Sequence, residues 1–363
     1  MASRKNIVVL FGGRSGEHEV SLSSAAYIID TLKQCEEFHI LPVAITREGR
    51  WYAYGGPTQA MREDRWYAEG PVTPATLVPD TSKPYLFTKR DGRSITYPVD
   101  CVFPVLHGPF GEDGTVQGML ELSGIPYVGC GVAASAIAMD KVFANTVFDQ
   151  CDIPHTPWRA LDRYTFIHRD EKMLDELVHG MRYPLFVKPA RGGSSLGIRR
   201  VASPDELVDA LEFAFQYDRK LVIEEGVRGR ELEIAALGGY GEPILSPVGE
   251  IVPDREFYDY DSKYKEDSAS ELIAPAKLRD DQLMRLRMIA SEAWQALDCY
   301  GLARIDFFLT EDDRVLLNEI NTIPGFVSIS MYPRLFREAG YGDAELLREL
   351  IKFAFLRDTE EED

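Results

Sequence analysis

The sequence has few cysteines, no long apolar run and a deficit of basic residues. Its five cysteines form no CxxC pair, which argues against a zinc site or a disulfide framework and is typical of a reducing compartment. No apolar run approaches the roughly 18 residues of a membrane span. The apolar start of the chain runs into Gly12-Gly13 rather than into a signal-peptide cleavage site. We therefore expect a cytoplasmic protein with no membrane partner.

The shortage of positive charge also bears on the partners. The chain has 40 Lys and Arg against 59 Asp and Glu, which gives a net charge of −19. A protein that binds the phosphate backbone of nucleic acid usually presents a basic face, so we expect no nucleic-acid partner. We interpret the acidic balance as a source of solubility. The 363 residues are enough for two or three domains with cores of their own.

Strands, glycine-rich loops and helices alternate along the chain and predict an α/β fold. An apolar strand at 6–11 ends at Gly12-Gly13 and precedes a helix, which is typical of a parallel sheet with ligands beyond the strand ends. Residues 47–96, rich in Gly, Pro, Thr and aromatics, are interpreted as irregular excursions plus a hairpin. The expected domains are an N-terminal substrate domain over 1–138, a central domain over 139–225 and a C-terminal domain over 226–363.

Two short strings near the C-terminus predict a polar site on a β-hairpin. GLARIDFFLT and RVLLNEINT read as strands, and a two-residue tip at Asp312-Asp313 places Asp306 opposite Glu319 and Arg304 opposite Asn321. These four side chains then share one face. Two carboxylates and a carboxamide beside an arginine suit Mg²⁺ bound with nucleotide phosphates, although a solvated hairpin face is the other interpretation. The opposite, apolar face is predicted to carry Ala303, Ile305, Phe307, Leu309, Leu316 and Ile320.

The loop KPARGGSSLG, residues 188–197, follows a strand and combines three glycines with two serines. Such a loop can direct backbone N–H groups and hydroxyls at phosphate oxygens, although a glycine-rich hairpin tip is the alternative. No Gly-Lys-Ser/Thr follows, so the segment is not a Walker loop. Lys188 at its start and Lys141 at the preceding helix are candidates to neutralise phosphate charge.

A second candidate for nucleotide contact is the bend in LVIEEGVRGRELEIAAL. Glu224 and Glu225 end an apolar run, and Glu231 follows the bend, where it could reach ribose hydroxyls while backbone groups meet an adenine edge. A polar bend between two strands is the alternative. The irregular stretch at about 252–276 predicts a lid or binding loop, with Lys263 beside Tyr264 as a closing contact.

Three further residues are candidates for substrate contact. Glu17, in the loop after the first strand, could bind a substrate ammonium group. His107 could lie at the same edge or serve only the structure. Gly325, directly after the Glu319 and Asn321 strand, could turn its N–H toward a developing oxyanion.

The order of these motifs resembles the D-alanine–D-alanine ligase family of the ATP-grasp fold along essentially the whole chain. The motifs are FGGRSGEHEVSLSSA, LHGPFGEDGTVQG, GCGVAASAIAMDK, FVKPARGGSSLGI, RGRELEIAALG, FYDYDSKY, ARIDFFL and LNEINTIPGFVSISMYP. The resemblance implies an N-terminal parallel-sheet, Rossmann-like domain followed by a two-part ATP-grasp module. It implies formation of D-alanyl-D-alanine for peptidoglycan through a D-alanyl phosphate, with ATP and two Mg²⁺ (or Mn²⁺), in a homodimer.

The resemblance also implies roles for individual residues. The implied ATP contacts are Lys141, Lys188, Gly193, Ser194, Ser195, Glu224, Glu225, Val227, Glu231, Lys263, Asn318 and Glu319. The implied metal ligands are Asp306, Glu319 and Asn321. Glu17 would receive the ammonium of the first D-alanine, in a network with Ser194 and Tyr264 that closes the lid, and His107 would lie beside it. Ser330, with Lys263 and Met331 nearby, would receive the second D-alanine, while Arg304 and Gly325 would stabilise the oxyanion.

Three other functions stay open from the sequence. A ligase that joins D-alanine to D-lactate would carry a different lid sequence, with histidine in place of Tyr264, whereas a D-serine ligase is harder to separate. A broader carboxylate–amine ligase is the second alternative. A nucleotide-binding regulator is the third, and the retention of Arg304, Asp306, Glu319 and Asn321 argues against it.

Overall fold

A computed structural model describes residues 4–170, 172–193, 196–252 and 271–360 of the chain. Three β-sheets with helices packed against them make up this part of the protein. The α/β fold expected from the sequence is confirmed. The domain limits near residues 138 and 225 stay predictions. Among the described helices, none is both long enough and apolar enough to cross a membrane.

The first sheet has seven strands. They are β1 Lys5–Gly12, β2 Phe38–Ile45, β3 Trp51–Tyr54, β4 Val72–Val78, β5 Tyr85–Arg90, β6 Arg93–Pro98 and β7 Cys101–Val105, in the spatial order β6-β5-β4-β3-β2-β1-β7. β1 pairs in parallel with β2 and β7, and the remaining pairs are antiparallel. Because β1 is buried on both faces, it is a continuous apolar run from Ile7 to Phe11.

Residues 47–96 are more regular than the sequence predicted. They supply β3 to β6 and two short helices, α2 Thr58–Arg62 and α3 Trp66–Glu69, which follow α1 His18–Leu32. The prediction of irregular structure was wrong, because β6 at the sheet edge is largely exposed and β4 buries only two of its residues. Such strands carry no continuous apolar run, which is the signal that sequence reading depends on.

The turn between β1 and α1 is built on glycine because the backbone passes too close for any other residue. Gly12 has a φ of 88°, and a Cβ atom on it would lie 2.3 Å from the carbonyl oxygen of Ile45. Its N–H donates to Ser21 Oγ of α1 at 2.7 Å. This contact fixes the start of α1 against the carboxyl end of the sheet.

The second sheet is small and antiparallel. It contains β8 Trp158–Asp162, β9 Leu185–Pro189, β10 Arg199–Val201 and β11 Lys220–Glu225, in the order β10-β9-β11-β8. The helices of this region and those before it are α4 Thr115–Leu122, α5 Val132–Met139, α6 Lys141–Gln150, α7 Arg163–Ile167, α8 Met173–Leu177 and α9 Leu207–Ala214. Leu185, Val187 and Ile223 pack with Leu211 of α9 in one buried cluster.

The third sheet is antiparallel and has helices on both faces. Its strands are β12 Gly229–Gly238, β13 Ile244–Val252, β14 Glu271–Ile273, β15 Gly301–Thr310 and β16 Val315–Asn321, and its helices are α10 Asp280–Ala296, α11 Met331–Glu338 and α12 Asp343–Glu360. On one face, Trp294 of α10 packs in a cluster with Phe307. On the other, Leu302 and Tyr332 share a single core with Phe11 of β1. The N-terminal and C-terminal parts of the chain are therefore joined by apolar packing.

The β15–β16 hairpin differs from the prediction at its tip. Its turn has three residues, 311–313, closed by the Thr310 N–H to Arg314 O bond at 2.9 Å, and Asp313 has a φ of 65°. The prediction of a two-residue tip at Asp312-Asp313 was wrong. A bulge at Asn318 restores the register, so Asp306 still lies opposite Glu319 and Arg304 opposite Asn321.

The bulge also changes which leucine reaches the core. Leu317 pairs with Phe307 and belongs to the buried cluster under α10, whereas Leu316 pairs with Phe308 on the other face. The prediction of Leu316 on the apolar face was therefore wrong. A shift of one residue in the pairing moves every side chain of a strand to the opposite face. The turn is one residue longer than predicted, and the extra residue at Asn318 cancels that shift, so Glu319 and Asn321 lie on the predicted face.

Candidate active site

A cleft of about 760 Å³ lies where the first and third sheets meet. Its walls come from the loops after β1 and β7, from β12, from the β15–β16 hairpin and from residues 322–331. It brings together thirteen of the predicted site residues: Glu17, His107, Lys141, Gly193, Glu231, Arg304, Asp306, Asn318, Glu319, Asn321, Gly325, Ser330 and Met331. Four others do not line it: Lys188, Glu224, Glu225 and Val227. The predicted Ser194, Ser195, Lys263 and Tyr264 lie outside the described residues.

The polar face of the hairpin is organised by Arg304. Its Nε donates to Asp306 Oδ1 and its Nη2 to Asp306 Oδ2, both at 2.7 Å, which is the bidentate geometry of a strong arginine–carboxylate pair. Glu233 Oε2 of β12 lies 3.2 Å from the same Nε atom. Glu233 was missed in the sequence, although its place two residues after Glu231 on one strand is the signal that could have found it. The guanidinium is thus held at the cleft by two strands.

The side chains predicted to bind a metal ion lie on the same face. Asn321 Nδ2 donates to Asp306 Oδ2 at 3.0 Å, and Asn321 Oδ1 takes no part in this bond. Among the described residues no three His, Cys, Asp or Glu side chains converge as a metal site, so Asp306 and Glu319 would need Asn321 and phosphate oxygens to complete one. An all-oxygen set of this kind fits a hard cation such as Mg²⁺. The metal role of these residues stays a prediction.

Two lysines lie near the hairpin in different surroundings. Lys141 Nζ, at the start of α6, donates to Gly192 O at 3.1 Å and lies 3.6 Å from Glu319 Oε2, so it bridges the glycine-rich loop and the hairpin. Lys188 Nζ donates to Glu224 Oε2 at 2.6 Å. Burial favours the neutral amine, but the Glu224 carboxylate more than offsets this and raises the pKa of Lys188 above its ordinary value. Lys188 is therefore cationic in the folded protein.

The Lys188–Glu224 pair gives a prediction for stability. The two side chains are only 16% and 8% exposed, so replacing Lys188 by methionine leaves a buried carboxylate without its cation. We expect the free energy of unfolding to fall by about 3–5 kcal/mol, measured by urea denaturation. The matched control is Lys5→Met, because Lys5 and Asp100 form a pair that is 53% and 31% exposed. The control should change the free energy of unfolding by less than about 1 kcal/mol. Equal losses in the two variants would contradict the buried pair.

Two other predicted nucleotide residues, Glu225 and Val227, do not line the cleft. Glu225 accepts from the Arg182 backbone N–H at 3.0 Å and from Arg182 Nε at 3.1 Å, which ties β11 to the segment before β9. Val227 follows in the bend between β11 and β12. Glu231 does line the cleft. The adenine and ribose roles of these residues stay predictions.

Glu17 lies between two glycine-containing loops. A Cβ atom built on either Gly108 or Gly193 would lie 2.6 Å from Glu17 Oε2, so the carboxylate touches backbone on both sides. The residue is 9% exposed and lines the cleft. Its own N–H donates to Ser15 Oγ at 3.2 Å. A carboxylate so enclosed suits the recognition of a small cationic group.

His107 is buried and held from two sides. Its Nδ1 lies 2.9 Å from Ile323 O and its Nε2 3.2 Å from Ser24 Oγ. Burial lowers the pKa of His107 below its ordinary value, so the neutral imidazole donates from Nδ1 to the carbonyl and accepts at Nε2. Ser24 was missed in the sequence, and its only signal there is a run of small polar residues, SLSSA, inside a helix.

Glu112 was also missed, although it stands in the GEDG string beside His107. It accepts from the Gly108 N–H at 2.6 Å and from the Ile323 N–H at 3.3 Å. Burial, reinforced by the nearby Glu17 carboxylate and more weakly by Glu319, raises the pKa of Glu112 to about 8. The loop after β7 is thereby connected to the loop after β16.

The raised pKa of Glu112 predicts a pH dependence of stability. Between the ordinary value of 4.5 and about 8, the folded protein holds a proton that the unfolded chain releases. This contribution to stability is complete at low pH and is lost as the pH rises toward 8. We expect Glu112→Gln to flatten that decline in the ligand-free protein, measured by urea denaturation from pH 5 to pH 9. Parallel profiles for the two proteins would contradict the raised pKa.

The segment after β16 supplies the last predicted residues. Ser330 Oγ accepts from the Val327 N–H at 3.1 Å, and a Cβ atom on Gly325 would lie 3.3 Å from this oxygen. Gly325 and Ser330 are thus neighbours at the start of α11. Met331 is buried against Gly249, where an added Cβ would lie 2.6 Å from its sulfur. The structure places these three residues together at the cleft, and their roles stay predictions.

Comparisons with known proteins agree with this arrangement. Residues 6–130 match the family model for the D-ala D-ala ligase N-terminus, and residues 147–352 match that for the C-terminus. A D-alanine–D-alanine ligase of Thermoanaerobacter sp. (strain X514) is 46% identical over 97% of this chain and 96% of its own. A second, from Geobacillus kaustophilus, is 43% identical over 99% of this chain and 97% of its own.

Solved structures give the same result. The VanG D-Ala:D-Ser ligase from Enterococcus faecalis has a TM-score of 0.86 at 37% identity, over 97% of this chain and all of its own. The D-alanine–D-alanine ligase from Coxiella burnetii has a TM-score of 0.85 at 36% identity, over 99% of this chain and 97% of its own. The resemblance and the fold class expected from the sequence are confirmed, and the chain belongs to the D-alanine–D-alanine ligase family.

Proposed function

We propose that the chain joins two D-alanine molecules, with ATP cleaved to ADP and phosphate, and so supplies the dipeptide for peptidoglycan precursors. The observation that carries this proposal is the convergence of Glu17, Lys141, Arg304 and Gly325 on one cleft in a member of this family. A carboxylate is a poor electrophile, so a carboxylate oxygen of the first D-alanine attacks the γ-phosphorus and ADP leaves. The product is an acyl phosphate.

The second step forms the peptide bond. The amine of the second D-alanine attacks the acyl carbon, the C–N bond forms, the C–O bond to phosphate breaks, and the amine gives up one proton. Arg304 and the Gly325 N–H would stabilise the negative oxygen of the tetrahedral intermediate. Glu17 would hold the ammonium of the first D-alanine, and Ser330 would contact the carboxylate of the second. Closure of the cleft during the reaction would keep water from the acyl phosphate.

ATP binding would use the lysines and the hairpin. Lys141 and Lys188 would neutralise phosphate charge, and Glu231 would meet the ribose. Asp306, Glu319 and Asn321 would hold Mg²⁺ or Mn²⁺, which offsets charge on the transferring phosphoryl group when bound. Of these two lysines, Lys141 lines the cleft and Lys188 does not.

The test is phosphate release from Mg-ATP with D-alanine alone, followed by addition of D-serine, D-lactate or L-alanine. We expect turnover with D-alanine alone and a dipeptide product. Turnover that requires D-serine would keep the mechanism and reassign the second substrate, as in the D-Ala:D-Ser ligase to which the chain is similar. No ATP turnover with any pair would contradict the enzymatic function and favour a nucleotide-binding regulator.

We also propose that the protein acts in the cytoplasm as a homodimer. Both statements rest on the family, and the nucleotide and amino-acid substrates are those of a cytoplasmic enzyme. The expected mass in solution is twice the 40.9 kDa of one chain. Sedimentation equilibrium at micromolar concentration measures it, and a mass of one chain would contradict the dimer.

A further inference from the structure

The loop that carries Gly325 has no regular structure of its own. It connects β16, which ends at Asn321, to α11, which begins at Met331. The direction of one N–H group in such a loop depends on contacts from outside it. An oxyanion donor displaced by about 1 Å loses much of its effect. The contacts that hold this loop therefore matter for the chemistry proposed above.

Three hydrogen bonds from the N-terminal part of the chain hold this loop on both sides of Gly325. Before it, Ile323 O accepts from His107 Nδ1 at 2.9 Å, and the Ile323 N–H donates to Glu112 Oε1 at 3.3 Å. After it, the Phe326 N–H donates to Ser24 Oγ at 3.1 Å. Ser24, His107 and Phe326 are at most 4% exposed, so water does not compete for these bonds.

Three bonds form a chain with one consistent direction, which begins and ends in the loop that carries Gly325. The Phe326 N–H donates to Ser24 Oγ, the Ser24 hydroxyl donates to His107 Nε2, and His107 Nδ1 donates to Ile323 O. Ser24 is the member of this chain of bonds that lies on α1, and its hydroxyl group both accepts and donates. Replacing it by alanine therefore removes two bonds and leaves the Phe326 N–H and His107 Nε2 without these partners.

Glu112 holds the same loop through the two oxygens of its carboxyl group. One oxygen accepts from the Gly108 N–H at 2.6 Å and the other from the Ile323 N–H at 3.3 Å. Glutamine at this position has the same shape but only one acceptor oxygen. In Glu112→Gln the side-chain NH₂ group faces one of the two backbone N–H groups, and two donors cannot bond to each other. The variant therefore loses its hydrogen bond to either the loop of Gly108 or the loop of Ile323.

We propose that Ser24 and Glu112 are positioning residues that aim the Gly325 N–H at the oxyanion of the peptide-forming step. This inference rests on the proposed function, because it assigns the residues to the second of its two steps. They act through the loop, so they are needed when the amine attacks and much less when the phosphoryl group transfers. Loss of either slows ligation more than formation of the acyl phosphate.

The test separates the two steps. The acyl phosphate that is not captured either returns to ATP, measured as positional exchange of ¹⁸O from the β,γ-bridge, or hydrolyses, measured as phosphate without dipeptide. For Ser24→Ala and Glu112→Gln we expect dipeptide formation to fall about 10-fold or more, somewhat less than for loss of an oxyanion donor. The sum of exchange and uncoupled phosphate, relative to dipeptide, should rise several-fold.

The matched control is Ser246→Ala in the third sheet. Ser246 is also fully buried, accepts from the Ala235 N–H at 3.0 Å and donates to Pro247 O at 2.7 Å, but it does not line the cleft. It should lose comparable stability and keep the wild-type ratio. An unchanged ratio in both Ser24→Ala and Glu112→Gln would overturn the positioning role, whereas a wild type that forms no dipeptide would overturn the proposed function. Where only one of the two positioning variants folds, its ratio alone decides whether the positioning role holds.

Discussion

Replacing Arg304 by methionine is expected to lower kcat for dipeptide formation by about 10²–10³-fold, the usual loss for one oxyanion donor. The guanidinium is held by Asp306 and by Glu233, which lies 3.2 Å from Nε, so it is fixed before substrate binds. Methionine fills a similar volume but supplies no charge where negative charge develops. The two carboxylates also lose their common cation. Steady-state kinetics with saturating ATP and D-alanine measures the change.

The control for Arg304 is an arginine on the same hairpin. Arg314 pairs with Asp312 at 2.8 Å, its side chain is 49% exposed, and it lies outside the cleft. Arg314→Met should leave kcat unchanged within a factor of about two, because its side chain does not line the cleft, and it should cost little stability, because exposed pairs contribute little. Arg304→Lys keeps the charge but not the bidentate fork, so its kcat should lie between those of wild type and Arg304→Met. An Arg304→Met enzyme that kept a tenth of the wild-type kcat would contradict the oxyanion role.

The hairpin shows what the sequence could predict and why. Alternation of polar and apolar residues places Arg304 and Asp306 on one face, and this held in the structure. The predicted turn was one residue too short. Asp313 adopts a left-handed conformation, which aspartate tolerates but which an aspartate in a sequence does not predict. The bulge at Asn318 compensated for the error. The register at the site was therefore predicted correctly while the register near the tip was not.

Contacts between distant segments were beyond the sequence. Ser24 meets the Phe326 N–H across 302 positions, and Glu112 meets the Ile323 N–H across 211. No local pattern encodes such a contact, because each partner in the loop is a backbone N–H group that any residue except proline could supply. The lining of the cleft was equally unpredictable: Lys141 lines it, whereas Lys188 pairs with Glu224 and does not. Sequence supplied the list of polar residues, and the fold decided which of them face one another.

Replacing Glu17 by glutamine is expected to lower kcat/KM for D-alanine by about 10²-fold or more, which corresponds to losing one partner of an enclosed charge pair. The carboxylate lies against Gly108 and Gly193, so the space around it is closely enclosed. Glutamine keeps the shape and presents an N–H donor where a substrate ammonium needs an acceptor. The KM for ATP should change little, because no phosphate contact is assigned to this residue.

Glu19 provides the matched control for that variant. It stands two residues further along, in the first turn of α1, but its side chain is 69% exposed and pairs with Arg47 at 2.9 Å. Glu19→Gln removes the same charge from the same helix end, so any general effect of net charge on substrate attraction is common to both variants. A loss confined to Glu17→Gln would show that recognition depends on an enclosed carboxylate at one point. Equal losses in the two variants would instead assign the effect to the electrostatic field at the mouth of the cleft, and the ammonium site would have to be sought elsewhere.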